Sequence, residues 1–92
     1  MINVNTYMDG KVKSLGFSRG ASIFTVGVLL AGQYRFNTEK EEHITVVTGP
    51  IDFLLPGGEW KTVTAGETIV IAANVAFDLK ADSAAAYLCE YK

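Results

Sequence analysis

From Lys11 onward, apolar and polar residues alternate in short runs broken by turn residues, a period of two that predicts β-strands. Lys11–Phe17 forms a first strand, closed by Ser18-Arg19-Gly20. Ser22–Leu30 is a second, with Val26, Val28 and Leu30 on one face. Ala31-Gly32 turns the chain into Gln33–Thr38, where Tyr34, Phe36 and Thr38 share a side. The charged stretch Glu39-Lys40-Glu41-Glu42 reads as a solvated loop leading to Ile44–Thr48. Gly49-Pro50 makes the next break, because proline cannot donate to a strand ladder. Ile51–Leu55, Trp60–Val63, Thr68–Ile71, Val75–Lys80 and Ala85–Tyr91 follow, with turns at Pro56-Gly57-Gly58 and Ala65-Gly66-Glu67. No segment repeats apolar residues at helical spacing over ten positions. The prediction is an all-β chain, a sandwich or a closed barrel.

The chain has 92 residues, 49% of them apolar, which predicts one domain over 1–92. At this size roughly 60–65% of the unfolded surface is buried on folding, so stability is modest unless subunits pack together. Ten acidic against eight basic residues, with no basic block, argue against nucleic-acid or membrane-surface binding. The first residues show no basic stretch followed by an apolar run, and no apolar segment approaches the roughly 18–20 residues that span a bilayer. The single Cys89 has no disulfide partner. A soluble cytoplasmic protein is expected.

Candidate chemistry is sparse. His43 is the one histidine and sits at a charged loop edge, where solvation is its default state. Cys89 lies in the alternating run Tyr87-Leu88-Cys89-Glu90-Tyr91, so it should point inward beside two tyrosines, as a buried structural thiol. There is no phosphate-cradling glycine loop followed by a helix. Lys11 and Lys13 project from the same face of the first strand, and with one arginine at a barrel mouth they could hold a phosphate through charge-assisted hydrogen bonds. Glu42 could meet sugar hydroxyls at a barrel opening or balance an oxocarbenium-like charge. Trp60 reads as a packing or subunit-contact residue.

The stretch Gly32 to Gly49 has the shape of the first cupin motif: a glycine turn, a strand, Glu42, six residues, then a second glycine turn. The positions in line with cupin metal ligands hold Phe36, Thr38, Glu42 and, in the second half-motif, Phe77, with aromatic and hydroxyl residues where a metal-binding cupin carries two histidines. One carboxylate and a threonine are a poor set for iron, manganese or zinc. The expected fold is therefore a single-domain cupin, a jelly-roll-like β-barrel without the usual metal-ligand histidines.

End to end, the chain also resembles a narrower family, the small bacterial cupin-type pyrimidine/purine nucleoside phosphorylases. The resemblance is carried by Tyr7-Met8-Asp9-Gly10-Lys11-Val12-Lys13-Ser14-Leu15-Gly16-Phe17, Val26-Gly27-Val28 and Gly32 to Thr38. It continues through Glu42, Val46-Val47-Thr48-Gly49, Leu54-Leu55-Pro56, Trp60, Ala65-Gly66-Glu67, Phe77-Asp78-Leu79 and Tyr87 to Tyr91. Glu41 and Ala72 depart from it, standing where proline is common, and so does Glu90, where a basic or small residue is usual. The first two would loosen turns beside a pocket, and Glu90 should face solvent.

The resemblance implies a homodimer that splits purine and pyrimidine nucleosides with inorganic phosphate, giving free base and pentose 1-phosphate. It implies no metal and no cofactor. Such a reaction needs cations for phosphate, hydroxyl recognition for ribose and a wall for the base. Lys11, Lys13 and Arg35 are the phosphate candidates, although Arg35 alternates out of phase with Tyr34 and Phe36 and would need a bulge to join them. Glu42 and Thr38 are candidates for ribose, and Phe36, Phe77 and Tyr87 for the base wall. Glu42 and Lys11 are the expected catalytic pair. The competing expectation is a non-catalytic cupin that binds a sugar or nucleotide. A metal-dependent dioxygenase or isomerase is disfavoured by the single histidine.

Overall fold

The computed structural model describes all 92 residues, and its ten strands form two antiparallel sheets. In chain order they are β1 (Asn3–Tyr7), β2 (Val12–Arg19), β3 (Ser22–Leu29), β4 (Gly32–Asn37), β5 (Glu42–Thr48), β6 (Ile51–Leu54), β7 (Lys61–Val63), β8 (Thr68–Ile71), β9 (Ala76–Ala81) and β10 (Ala85–Tyr91). One sheet runs β1-β2-β3-β10-β5-β8 and the other β4-β9-β6-β7. The chain crosses between them after β5, at the cis Gly49-Pro50 bond. Residues facing inward from both sheets make one apolar cluster, in which Phe53, Leu29, Ile51, Ile71, Val12 and Val46 are fully buried. Fully burying a side chain of this kind stabilises the fold by about 1.5–3 kcal/mol.

Alternation fixes which side chains face in. The interior of the larger sheet can be read as cross-strand rows. The lowest joins Tyr7, Val12, Leu29 and Ala85, and its only polar group is the Tyr7 hydroxyl. Next come Asn5, Ser14, Gly27, Tyr87 and Val46, and then Asn3, Gly16, Thr25, Cys89 and Ile44. The top row joins Ser18, Ile23, Tyr91 and Glu42. Polarity therefore rises from the floor of the barrel to its open end. A sheet whose inner face carries hydroxyls, amides and a carboxylate does not close against its partner as a dry core would.

Three differences from the sequence expectation bear on the site, beside one-residue shifts at other strand ends. Residues 3–7 form a strand that the alternation did not reveal, linked to β2 by a tight turn in which Met8, Asp9 and Gly10 all have positive φ. The first hairpin turns at Gly20-Ala21, so Ser18 and Arg19 belong to β2. Glu42 is not in a solvated loop. It begins β5, paired with Tyr91 and Ile71, and so shares the inward side with Ile44 and Val46. Trp60 lies just outside β7, its ring under the Lys80 ammonium at 4.1 Å.

Candidate active site

The barrel opens beside the β2–β3 hairpin and the β4–β5 loop onto a cavity of about 740 Å³. Cavities of this size hold small organic ligands. Its two walls are chemically distinct. The four-stranded sheet contributes Phe36, Phe77, Phe53 and Leu79, and the Phe36–Phe77 and Phe77–Phe53 centroids lie 6.2 and 6.3 Å apart. The six-stranded sheet contributes Asn5, Ser14, Thr25, Glu42, Tyr87, Cys89 and Tyr91, set among the apolar Val12, Leu29 and Ile44. Tyr7 spans the two, meeting Phe36 edge to face at 5.7 Å and 88°.

The polar wall is internally bonded. Asn5 Nδ2 donates to Ser14 Oγ at 3.2 Å, and the Thr25 and Tyr91 hydroxyls share a hydrogen bond of 3.1 Å. The Cys89 thiol donates to Glu42 Oε1 at 3.6 Å. Tyr87 lies flat across Gly27, its cross-strand partner, where a Cβ would fall 2.3 Å from Cζ. Only glycine at 27 lets that ring occupy the cavity wall.

Burial sets the proton chemistry. It pushes the Tyr87 phenol up to about 12 and the Cys89 thiol, with the charge of Glu42 adding to the effect, up to about 12. Tyr91 is raised for the same reason, against the opposing bond to Thr25. These groups stay protonated at neutral pH, so each has a proton to donate. Burial also raises the Glu42 carboxyl, partly offset by the Cys89 hydrogen bond. The result is a carboxylate that the cavity makes costly to hold, with the neutral Cys89 thiol as its donor.

Of the residues singled out from sequence, Glu42, Phe36, Phe77 and Tyr87 line this cavity together. Lys11, Lys13, Arg35 and Thr38 do not. Lys11 precedes β2 and Lys13 alternates with the buried Val12 and Ser14, so both are exposed on the outer side. Arg35 points out of β4, whose pairing with β9 runs without a bulge, and Asp78 holds its guanidinium through contacts of 2.8 and 3.2 Å. Thr38 is buried as a latch: its hydroxyl donates to the Ala72 carbonyl at 2.7 Å and accepts from the Val75 amide at 3.1 Å. The phosphate cradle expected from Lys11, Lys13 and Arg35 is thus absent from the cavity, and the Thr38 hydroxyl is taken up by the backbone.

Asn5, Ser14, Thr25 and Lys40 also line the cavity and are not singled out by the sequence, which points Tyr91 inward without assigning it to a site. The signal for Asn5 and Ser14 lay in polar residues at inward register. For Lys40 there was none beyond its place two residues before Glu42. His43 faces outward, 2.7 Å from Glu41. No group of three or more His, Cys, Asp or Glu comes together. With the carboxylates of Glu39 and Glu42, one raised thiol and no imidazole, the cavity does not fit a catalytic iron, manganese or zinc ion.

Fold and site together define a cupin barrel with an open cavity, polar on one side and aromatic on the other, and no histidine ligand set. The family model described as pyrimidine/purine nucleoside phosphorylase matches residues 2–91, and the chain belongs to that family. A pyrimidine/purine nucleoside phosphorylase of Vibrio cholerae is 48% identical over 92 residues, covering 99% of this chain and 97% of that protein. One from Marinobacter nauticus is 46% identical, covering 99% of each. A crystal structure of a Vibrio parahaemolyticus protein of unknown function superposes with a TM-score of 0.96 at 41% identity, covering 100% of this chain and 99% of that one. The ethanolamine utilization protein Q of Salmonella typhimurium shares the cupin fold alone, with a TM-score of 0.78 at 11% identity over 99% of this chain and 93% of that one.

Proposed function

We propose that this chain is a broad-specificity, metal-independent pentosyltransferase that splits purine and pyrimidine nucleosides with inorganic phosphate into free base and pentose 1-phosphate. The observation that carries the reading is the pairing of an aromatic wall with a polar wall in one cavity. A nucleoside has the same division, an aromatic base and a hydroxylated sugar. Phe36 and Phe77 would stack on the base, and stacking accepts either base class because every base offers a π-face.

In this reading the sugar lies against the six-stranded sheet, with Glu42 and the hydroxyls of Tyr87, Ser14 and Tyr91 toward its oxygens. A phosphate oxygen attacks the anomeric carbon as the C–N bond breaks, and the bonding pair leaves with the base nitrogen. Positive charge grows on the sugar in the transition state. The Glu42 carboxylate is destabilised by burial in the resting cavity. It gains most when a cation develops beside it, which is selective stabilisation of the transition state.

The reading includes a homodimer formed through the outer face of the six-stranded sheet. Val4, Leu15, Val26 and Leu88 form one cross-strand row there, and the first three are 70%, 47% and 43% exposed. An apolar row of this kind on a sheet face suits a second copy. A cytoplasmic location accords with the lone free thiol, and no helix is long and apolar enough to cross a membrane.

The test is product identity. Phosphorus NMR of protein with inorganic phosphate and either uridine or inosine should show a pentose 1-phosphate resonance appearing with each. Base release without a sugar phosphate would indicate hydrolysis, and no turnover would favour a cupin that only binds nucleosides or sugars.

A further inference from the structure

We infer that Lys40, at the mouth of the cavity, is the cation that receives inorganic phosphate; this deepens the phosphorylase reading and rests on it. Of the eight lysines and arginines in the chain, Lys40 alone lines the cavity. The others are elsewhere or engaged. Arg35 is held by Asp78, Lys92 pairs with Glu90 at 3.3 Å, and Lys80 covers Trp60. Lys11, Lys13, Arg19 and Lys61 lie on outer faces or turns, away from the cavity lining.

Lys40 itself takes part in none of the chain's three ion pairs. Its neighbour Glu41 is drawn to the outside by His43 at 2.7 Å, leaving Glu39 and Glu42 as the carboxylates that share the cavity with it. Position supports the role as well. Lys40 precedes Glu42 by two residues, so their Cα atoms are no more than about 7 Å apart. Glu42 stands in the top row of the polar wall, where the sugar would present its anomeric carbon toward the open end. Within the cavity, a phosphate meets no positive charge other than Lys40. A single lysine is a compact point charge with three donors, suited to an anion that must arrive and leave as half of a sugar phosphate.

The proposal is tested with the full-length protein and the variants Lys40→Gln, Lys40→Arg and Lys61→Gln. Phosphorolysis of inosine is measured against varied phosphate and varied inosine, and inorganic phosphate binding is measured separately by calorimetry. Lys40→Gln should raise the phosphate KM and Kd about tenfold or more, since it removes a charge-assisted hydrogen bond, and should leave the inosine KM within about twofold. Lys40→Arg should restore most of the phosphate affinity, and Lys61→Gln should match wild type. An unchanged phosphate Kd and KM in Lys40→Gln would overturn the assignment, as would equal rises in both KM values. If Lys11→Gln with Lys13→Gln raises the phosphate KM instead, the cation lies outside the cavity and the inference fails while phosphorolysis stands. Wild-type protein that releases no base would refute the phosphorylase reading, and the calorimetric comparison would then still decide whether Lys40 binds phosphate.

Discussion

The Cys89 thiol donates to Glu42 Oε1 across 3.6 Å, linking the buried thiol to the one carboxylate of the cavity's polar wall. Burial lifts the pKa of Glu42 above its ordinary value, and the thiol's hydrogen bond only partly counters it. The folded chain therefore holds this proton more tightly than the unfolded chain does. Stability contributed by Glu42 is present while it is protonated and is lost as pH rises through its folded pKa.

Glu42→Gln should separate stability from activity. Glutamine keeps an acceptor for the thiol and removes the buried charge, so the thermal midpoint at pH 8 should rise by a few degrees and vary less with pH. Phosphorolysis should fall at least tenfold. The acid limb of wild-type kcat/KM, set by loss of the Glu42 proton, should flatten. Melting curves and pH–rate profiles of the two proteins check both effects, and a variant with normal kinetics would remove Glu42 from the site.

Cys89 should be inert in the folded protein. It is 1% exposed and its thiol is pushed up to about 12, so almost no thiolate exists at pH 8. Iodoacetamide should leave native protein unlabelled and fully active, and should label one cysteine after denaturation. Rapid native labelling with loss of activity would show that the thiol is more open than the barrel implies.

Gly27 and Tyr87 should be energetically coupled. Gly27→Ala must displace the Tyr87 ring, and crowding of this kind costs about 1–3 kcal/mol. In a Tyr87→Ala background the same change should cost far less, giving a coupling of at least about 1 kcal/mol in a double-mutant cycle. Equal costs in the two backgrounds would mean that the ring does not lie on Gly27.

The outer apolar row predicts the assembly. Val26→Lys places a charge at the centre of that row, beside Leu15 and Leu88. Light scattering should show wild type at twice the chain mass and Val26→Lys as a monomer with an unchanged strand signature in circular dichroism. A wild-type monomer, or a variant that still dimerises, would place the interface elsewhere.

The strands that alternate apolar-in and polar-out were legible. The alternation predicts Ala85–Tyr91 with its observed bounds and with Cys89 between two inward tyrosines, and it predicts Ser22–Leu30 one residue longer than the observed strand. β1 was not legible because its pattern is inverted. Asn3, Asn5 and Tyr7 face the cavity while Val4 faces out, which no rule that sends apolar residues inward would find. The shared side of Lys11 and Lys13 was correct in parity, but parity cannot say which side faces the barrel. That choice was made by Val12, Ser14 and Gly16, the small and apolar residues between and after them. Thr38 shared parity with Tyr34 and Phe36, yet the strand ends at Asn37, and a long-range contact to Ala72 and Val75 claims its hydroxyl. Glu42 was legible as a candidate, while its burial came from pairing with Tyr91 and Ile71, partners distant in sequence.

The most direct measurement is release of free base from uridine and from inosine by chelator-treated protein, with and without inorganic phosphate. The account predicts release from both nucleosides, only when phosphate is present, with each nucleoside inhibiting turnover of the other because both use one cavity. Release without phosphate, release that returns only when metal is added back, or no release from either would contradict it.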